Sequence, residues 1–391
     1  MNRKLLVEFS EVEIREALFQ ICPPKAPGPD GFSALFYHKC WNIVKADVVR
    51  VVAKCLNDNS LDPKLNNTDI VLIPKCKDAN KMEDFRPINL CNVIVKIMTK
   101  AMANRLQSIL DKVISLNQSA FVKGRLITDN ILLAQELNHF IRSRRNGSRG
   151  YASLKVDMSK AYDRLEWAFI EQMLLKLGFD RMWVNKVMLC ITTVSYRVKV
   201  NSWYTNTIIP RKGLRQGDPL SLYIFILCSK WLSLEIEARC RTRFLSGIKI
   251  CRGVPNITHL FFADDCMIYA RATEEDFAEL KDILDRYEEV FGQRINFSKS
   301  DVLFSRNVDP VQKKLLANLM GVLAVQSHSK YLGLPLVMGQ RKSDIFRFIL
   351  DKVWSRVNGW KQKLLSIVGK EILIKSVLMA TPLRNVLLQV A

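Results

Sequence analysis

No two of the ten cysteines stand in a Cys-x-x-Cys spacing. That argues against structural zinc and leaves small buried thiols, which suit a reduced, intracellular compartment. No apolar run approaches the ~18 residues of a membrane span. The start, Met1 to Glu8, opens basic, but Glu8 ends its apolar run too early for a signal peptide. The chain also lacks internal repeats, low-complexity tracts, a basic amphipathic helix that would demand a membrane surface, and a long Lys/Arg run that would mark nuclear import. Nucleus and cytoplasm therefore stay equally open. Acids are in short supply as well. Among 391 residues, 38 Asp and Glu face 59 Lys and Arg, a net charge of +21. Such an excess on a chain with ample apolar material for two or three domains points to a polyanionic partner and salt-sensitive binding.

Against that scarcity, two adjacent carboxylates stand out in Phe262-Ala-Asp-Asp265, flanked by the apolar, β-prone runs of 259–271. The pattern predicts a tight hairpin with acids at its tip. Two such anions about 4 Å apart repel by roughly 4 kcal/mol at an effective dielectric near 20. A divalent metal is their natural partner, and it suggests phosphoryl chemistry. A second acidic cluster lies at Asp157-Met-Ser-Lys-Ala-Tyr-Asp163, with Asp157 closing a predicted strand at 152–156. A sheet can lay the two strand ends side by side; the lesser alternative is that Asp157 caps the following helix.

The periodicity predicts mostly helix up to residue 57, opened by a capping box at Ser10-Glu11-Val12-Glu13 and interrupted by the Pro- and Gly-rich loop 25–32. It predicts a strand at 69–74, helices at 92–112 and 128–142, and a basic connector at 142–150. Beyond the connector it predicts a helix at 167–177, a hairpin at 196–210, a long apolar helix at 218–239, a helix from Thr273 closed by Gly292, and a short strand at 295–297. The order suits an α+β fold with an antiparallel sheet carrying helices on one face.

Nine segments, in this order, resemble the reverse transcriptases of non-long-terminal-repeat (LINE-type) retrotransposons, with wording nearest the plant elements. They are Lys25-Ala-Pro-Gly-Pro-Asp-Gly31, Leu72-Ile-Pro-Lys75, Phe85-Arg-Pro-Ile-Asn-Leu-Cys-Asn92, Gln118-Ser-Ala-Phe-Val-Lys-Gly-Arg125, Lys155-Val-Asp-Met-Ser-Lys-Ala-Tyr-Asp163, Gly213-Leu-Arg-Gln-Gly-Asp-Pro-Leu-Ser221, Phe262-Ala-Asp-Asp265, Asn296-Phe-Ser-Lys-Ser300 and Tyr331-Leu-Gly-Leu-Pro335. Leu222 stands where the family usually has proline.

The resemblance implies a right-hand polymerase. Residues 1–65 would form an N-terminal helical extension with a template-side loop, 66–150 the fingers, 151–337 the palm and 338–391 a partial thumb. It implies an RNA-directed DNA polymerase that adds dNTPs to a DNA primer on an RNA template, using two Mg²⁺ ions, with Mn²⁺ as a substitute. Asp157, Asp264 and Asp265 would hold metal. Lys75 and Arg86 would grip the triphosphate, Tyr162 would exclude a ribose 2′-hydroxyl, and Gln216 and Gly217 would touch the nascent pair and template. Lys299 would act on pyrophosphate, while Leu332 and Gly333 would support the primer end. Trp354, Trp360, Lys361, Lys363, Lys370 and Lys375 would make a basic helical face along a duplex. The apolar close at 386–391 reads as truncation within a helix. The rival reading is a polymerase-shaped remnant that binds nucleic acid without turnover. A group II intron maturase fits the motif wording less well.

Overall fold

Ser10 folds the chain into its first long helix by two reciprocal bonds. Its hydroxyl accepts from the Glu13 amide at 3.3 Å, and the Glu13 carboxylate accepts from the Ser10 amide at 3.0 Å. The computed structural model describes residues 1–336 apart from Ser202, Arg252, Ser329, Gly333 and Pro335, with eight scattered positions from Arg347 to Glu371. Apart from those eight positions, among them the exposed Trp354, the expected thumb lies outside the described residues, with Trp360, Lys361, Lys363, Lys370 and Lys375, as does Gly333.

The N-terminal helices are α1 (Asn2–Leu6), α2 (Glu11–Phe19), α3 (Ala34–Lys39) and α4 (Trp41–Asn57), followed later by α5 (Val93–Gln107) and α6 (Leu110–Val113). Ile14, Ala17 and Leu18 bury one face of α2. Arg105 on α5 then locks α2 in place. Its guanidinium donates to both oxygens of Glu13, at 2.7 and 2.9 Å, and this pairing holds the Glu13 carboxyl below the ordinary range.

A four-stranded sheet follows. Strands β1 (Asn67–Pro74) and β2 (Phe85–Cys91) pair antiparallel, while β4 (Ser195–Val200) runs parallel to β1 and pairs with the short β5 (Trp203–Tyr204). The 196–210 hairpin therefore has a shorter second arm than its apolar residues suggested, supplemented by a bridge between Tyr196 and Ile208. Strand β2 tolerates Pro87 because it forms the sheet edge, where the missing amide faces no partner.

The second sheet has the order β6-β7-β3-β8-β9. Central β3 (Tyr151–Val156) pairs antiparallel with β7 (Asp265–Arg271) on one side and β8 (Asp301–Phe304) on the other; β6 (His259–Phe262) and β9 (Leu323–Val325) complete it. Ala152, Leu154, Val156, Cys266, Ile268 and Val302 join the main core, together with α8 (Trp167–Lys176), α9 (Arg181–Thr192), α10 (Pro219–Arg241) and α11 (Glu274–Phe291). The opposite face is covered too. Met267, Tyr269 and Leu303 meet Ile131, Ala134 and Leu137 of α7 (Ile127–Ser143), with Tyr331 and Leu334. Helices thus sit on both faces rather than one. The near-unbroken apolar run of β7, Cys266 to Ala270, is the signature of a strand buried on both sides.

Two more departures follow from local bonding. Residues 295–297 make only a bridge between Ile295 and Met158, because Asn296 turns the chain by accepting from the amides of Lys299 and Ser300. The strand comes after that turn, at β8, and α12 (Pro310–Met320) follows. Among the described helices α10 alone is long and apolar enough to cross a membrane, yet it packs inside the fold against α5, α8 and α11. A helix apolar all round is what a core centre requires.

Candidate functional site

The acids meet because of sheet register. Phe262 pairs with Asp265, so Ala263 and Asp264 form a two-residue turn between β6 and β7. Ala263 takes φ +55°, the positive first position that hairpin turns favour. Val156 pairs with Cys266, so Asp157 leaves β3 beside Asp265. The end of β3 is held by the 296–300 turn. Its Asn296 amide donates to the Asp157 carbonyl at 2.8 Å, and the Asp157 amide donates to Ser300 Oγ at 3.0 Å. Lys299, exposed, sits on that same turn.

The three carboxylates work against one another. Burial, reinforced by the charge of Asp157, raises the Asp264 carboxyl. Asp265 is pushed up to about 6, first by burial and then by Asp264, with Lys155 opposing and Asp157 adding. Like-charged acids of this kind, Asp264 exposed and Asp157 and Asp265 part-buried, fit a hard divalent cation. Among the described residues no group of three or more His, Cys, Asp and Glu side chains is arranged to hold a metal ion.

Tyr162 borders the acids. Its ring stacks on Phe225 at 4.6 Å and 21°, and its hydroxyl is raised by burial and by the Asp264 charge. The Tyr162 carbonyl accepts from the Leu214 amide at 2.8 Å, and the Leu165 carbonyl accepts from the Gly213 amide at 2.7 Å. These bonds lay the 213–217 loop along the segment after Asp157. A Cβ on Gly213 would stand 2.8 Å from the Asp163 carbonyl oxygen, so only glycine fits there. Gln216 Nε2 donates to Asp163 Oδ1 at 3.2 Å, and its carbonyl accepts from Asn89 of β2 at 3.1 Å. Gly217 is open on its Cβ side.

A buried ion pair fixes this loop. Arg215 and Asp218, each with side chains 4% exposed, form a buried pair with Nη2 to Oδ2 at 2.6 Å. Arg215 also donates to Asn66 Oδ1 at 2.7 Å and Thr68 Oγ1 at 3.1 Å, tying the loop to the first sheet. Asp218 uses its other oxygen to cap α10 through the Leu220 amide. An opposite-charge pair three residues apart beside a helix start was the available signal.

Lys75 and Arg86 come together at the free end of the β1–β2 hairpin. Ile73 pairs with Arg86, and the Lys75 amide donates to the Asp84 carbonyl at 2.7 Å. Both side chains are exposed. They form a cluster apart from the acids, linked to the Gln216 loop through β2. Leu332 takes φ +52° in the turn bridged by Tyr331 and Leu334 and packs on the second core cluster. A cleft of about 720 Å³ opens between the N-terminal segment, β2, α5 and the start of α10, with Lys25, Lys96, Lys100, Gln216, Gly217 and Tyr223 on its walls. Burial lowers the Lys100 ammonium.

With this geometry in place, comparison with known proteins is specific. A family model described as reverse transcriptase (RNA-dependent DNA polymerase) matches residues 73–336. The transposon TX1 uncharacterized 149 kDa protein of Xenopus laevis is 28% identical over 366 residues, covering 93% of this chain and 27% of its own length. The retrovirus-related Pol polyprotein from the type-2 retrotransposable element R2DM of Drosophila melanogaster is 24% identical over 328 residues, covering 83% and 28%. The type-1 element R2 Pol polyprotein of Popillia japonica is 30% identical over 199 residues, covering 50% and 26%. The chain thus spans little more than a quarter of these relatives. A solved apo telomerase from Candida tropicalis, truncated from its C-terminal domain, aligns with 72% of this chain and 58% of its own, at TM-score 0.44 and 16% identity.

Proposed function

The chain belongs to the reverse transcriptase (RNA-dependent DNA polymerase) family, and on that premise we propose that it extends a DNA primer 3′ end with dNTPs on an RNA template. The observation that carries the proposal is the convergence of Asp157, Asp264 and Asp265 at one sheet end, with Asp264 raised in pKa by burial and the Asp157 charge, and Asp265 by burial and the charges of Asp264 and Asp157. The family depends on divalent metal in general. In the finer reading, Asp157, Asp264 and Asp265 hold two Mg²⁺ ions, with Mn²⁺ as a substitute. Bound metal lowers the pKa of the primer 3′-hydroxyl and neutralises charge on the triphosphate.

The chain's own residues supply position and exclusion. The primer 3′ oxygen forms a bond to the α-phosphorus as the bond to pyrophosphate breaks. Lys75 and Arg86 bind the triphosphate, for which the planar guanidinium of Arg86 gives paired donors. The Tyr162 ring, braced by Phe225, closes the space a ribose 2′-hydroxyl would need. Gln216 and Gly217 lie against the nascent pair and the template. Lys299 faces the leaving pyrophosphate, and Leu332 with Gly333 supports the primer end. In domain terms, 1–65 forms the template-side extension, 66–150 the fingers and 151–337 the palm.

The test is primer extension on RNA and DNA templates, with and without Mg²⁺. The native chain extends on RNA with Mg²⁺, and Asp264→Ala extends nothing. Undiminished synthesis by that variant sinks the site assignment. Tight, salt-sensitive binding of primer-template with no extension by the native chain decides for a binding-only protein.

A further inference from the structure

We propose that Gln118 is a positioning residue for the Asp264 turn, its side-chain carbonyl holding the backbone amide of Ala263. The inference rests on the reading of Asp264 as a metal-binding acid. Ala263 stands at φ +55°, which L side chains rarely adopt. As the first of two turn residues it lies beyond the last ladder pair, Phe262 and Asp265, so its N–H has no partner within the hairpin. Gln118 Oε1 accepts from that N–H at 3.1 Å and from the Ala120 amide at 3.0 Å. Two donors facing one atom require it to be the oxygen, which sets the orientation of the amide group.

The clamp is itself anchored. The Phe261 amide donates to the Asn117 carbonyl at 2.8 Å, and the Phe261 carbonyl accepts from the Ser119 amide and from Asn130 Nδ2, each at 3.0 Å. Arg125 donates to the carbonyls of Ile114, Ser115 and Gln118, stiffening the loop from its other side. Gln118 is 2% exposed, and its Nε2 is buried with no hydrogen-bond partner among the described residues. A buried donor left unpaired is costly, so packing alone would favour an apolar side chain. The oxygen is what the position uses. This accounts for the 118–125 motif, to which the proposed chemistry assigns no role.

Amide exchange in the native chain, selectively labelled with ¹⁵N-alanine, tests the clamp without any variant. The Ala263 amide exchanges at least about 100-fold more slowly than in an unstructured peptide. Exchange at the unstructured rate overturns the proposal. Gln118→Met keeps the volume and removes the acceptor. It lowers Ala263 protection and primer-extension kcat each by about tenfold or more, with the dNTP KM within about threefold of native. Adding Ala263→Gly, which makes positive φ cost-free, recovers most of the lost kcat. Native kcat in Gln118→Met, or no recovery in the double variant, overturns the clamp. A native chain that extends no primer overturns the polymerase reading instead, and the exchange rate still decides the clamp.

Discussion

Val156 of β3 stands opposite Cys266 of β7, so the next residues along, Asp157 and Asp265, leave the sheet at the same end. A slip of one residue in that register would send one acid to the opposite face. The site therefore depends on the same alternation that buries Val156 and Cys266 in the main core. Its acids repel, and that repulsion is measurable.

Asp265 titrates at about 6 when folded, above the ordinary 3.8. Between those values the folded chain binds more protons than the unfolded one, so stability falls as pH rises through that window and levels off above it. Asp265→Asn removes this loss. In the absence of metal, its melting temperature exceeds that of the parent by about 2 °C or more at pH 7.5, and the gap closes toward pH 4. A gap that is absent at pH 7.5, or that grows on acidification, contradicts the assigned repulsion. On the proposed reading Mg²⁺ would compete with the same proton, so its affinity by calorimetry weakens as pH falls below about 6.

Breaking the Arg215–Asp218 pair strands a buried charge. Arg215→Met costs about 3–5 kcal/mol in chemical denaturation. The double variant Arg215→Met with Asp218→Asn keeps the α10 cap and removes the stranded anion, so it is more stable than the single variant. Equal stability for the two would mean the pair is not coupled in solution.

Tyr162→Ala opens the space beside Asp264 that the stacked ring fills. The ratio of kcat/KM for a dNTP over the matching rNTP drops by at least about tenfold, chiefly because rNTP use rises. If the ratio holds while both rates fall together, Tyr162 is only a packing residue.

Lys100 lines the cleft between the N-terminal segment, β2 and the start of α10, with its ammonium part-buried. Lys100→Met reduces the slope of log affinity against log salt for a primer-template by about 1, across unrelated sequences. An unaltered slope in fluorescence anisotropy would remove that cleft from the nucleic-acid path.

Much of this was legible before folding. The Ser10 capping box, the buried stripe of α11 from Phe277 to Phe291 with its Gly292 close, and the Asp-Asp hairpin are local patterns, set by neighbours within one or two turns. Strand β2 hid behind Pro87 because its edge position is a property of the sheet. The 295–297 segment turned because of the Asn296 carbonyl bonds, which outweigh its apolar character.

From the sequence alone came many of the helices, the Asp-Asp hairpin, the cationic balance and the types of residue able to bind metal and phosphate, since all of these are carried by composition and short-range spacing. Tertiary structure alone decided that Asp157 lies beside Asp265, that Gln118 reaches Ala263 from 145 positions away, and that Arg215 holds its loop to Asn66. The physical reason is that strand register and buried polar pairing are chosen by the whole core at once, and no stretch of neighbouring residues encodes them.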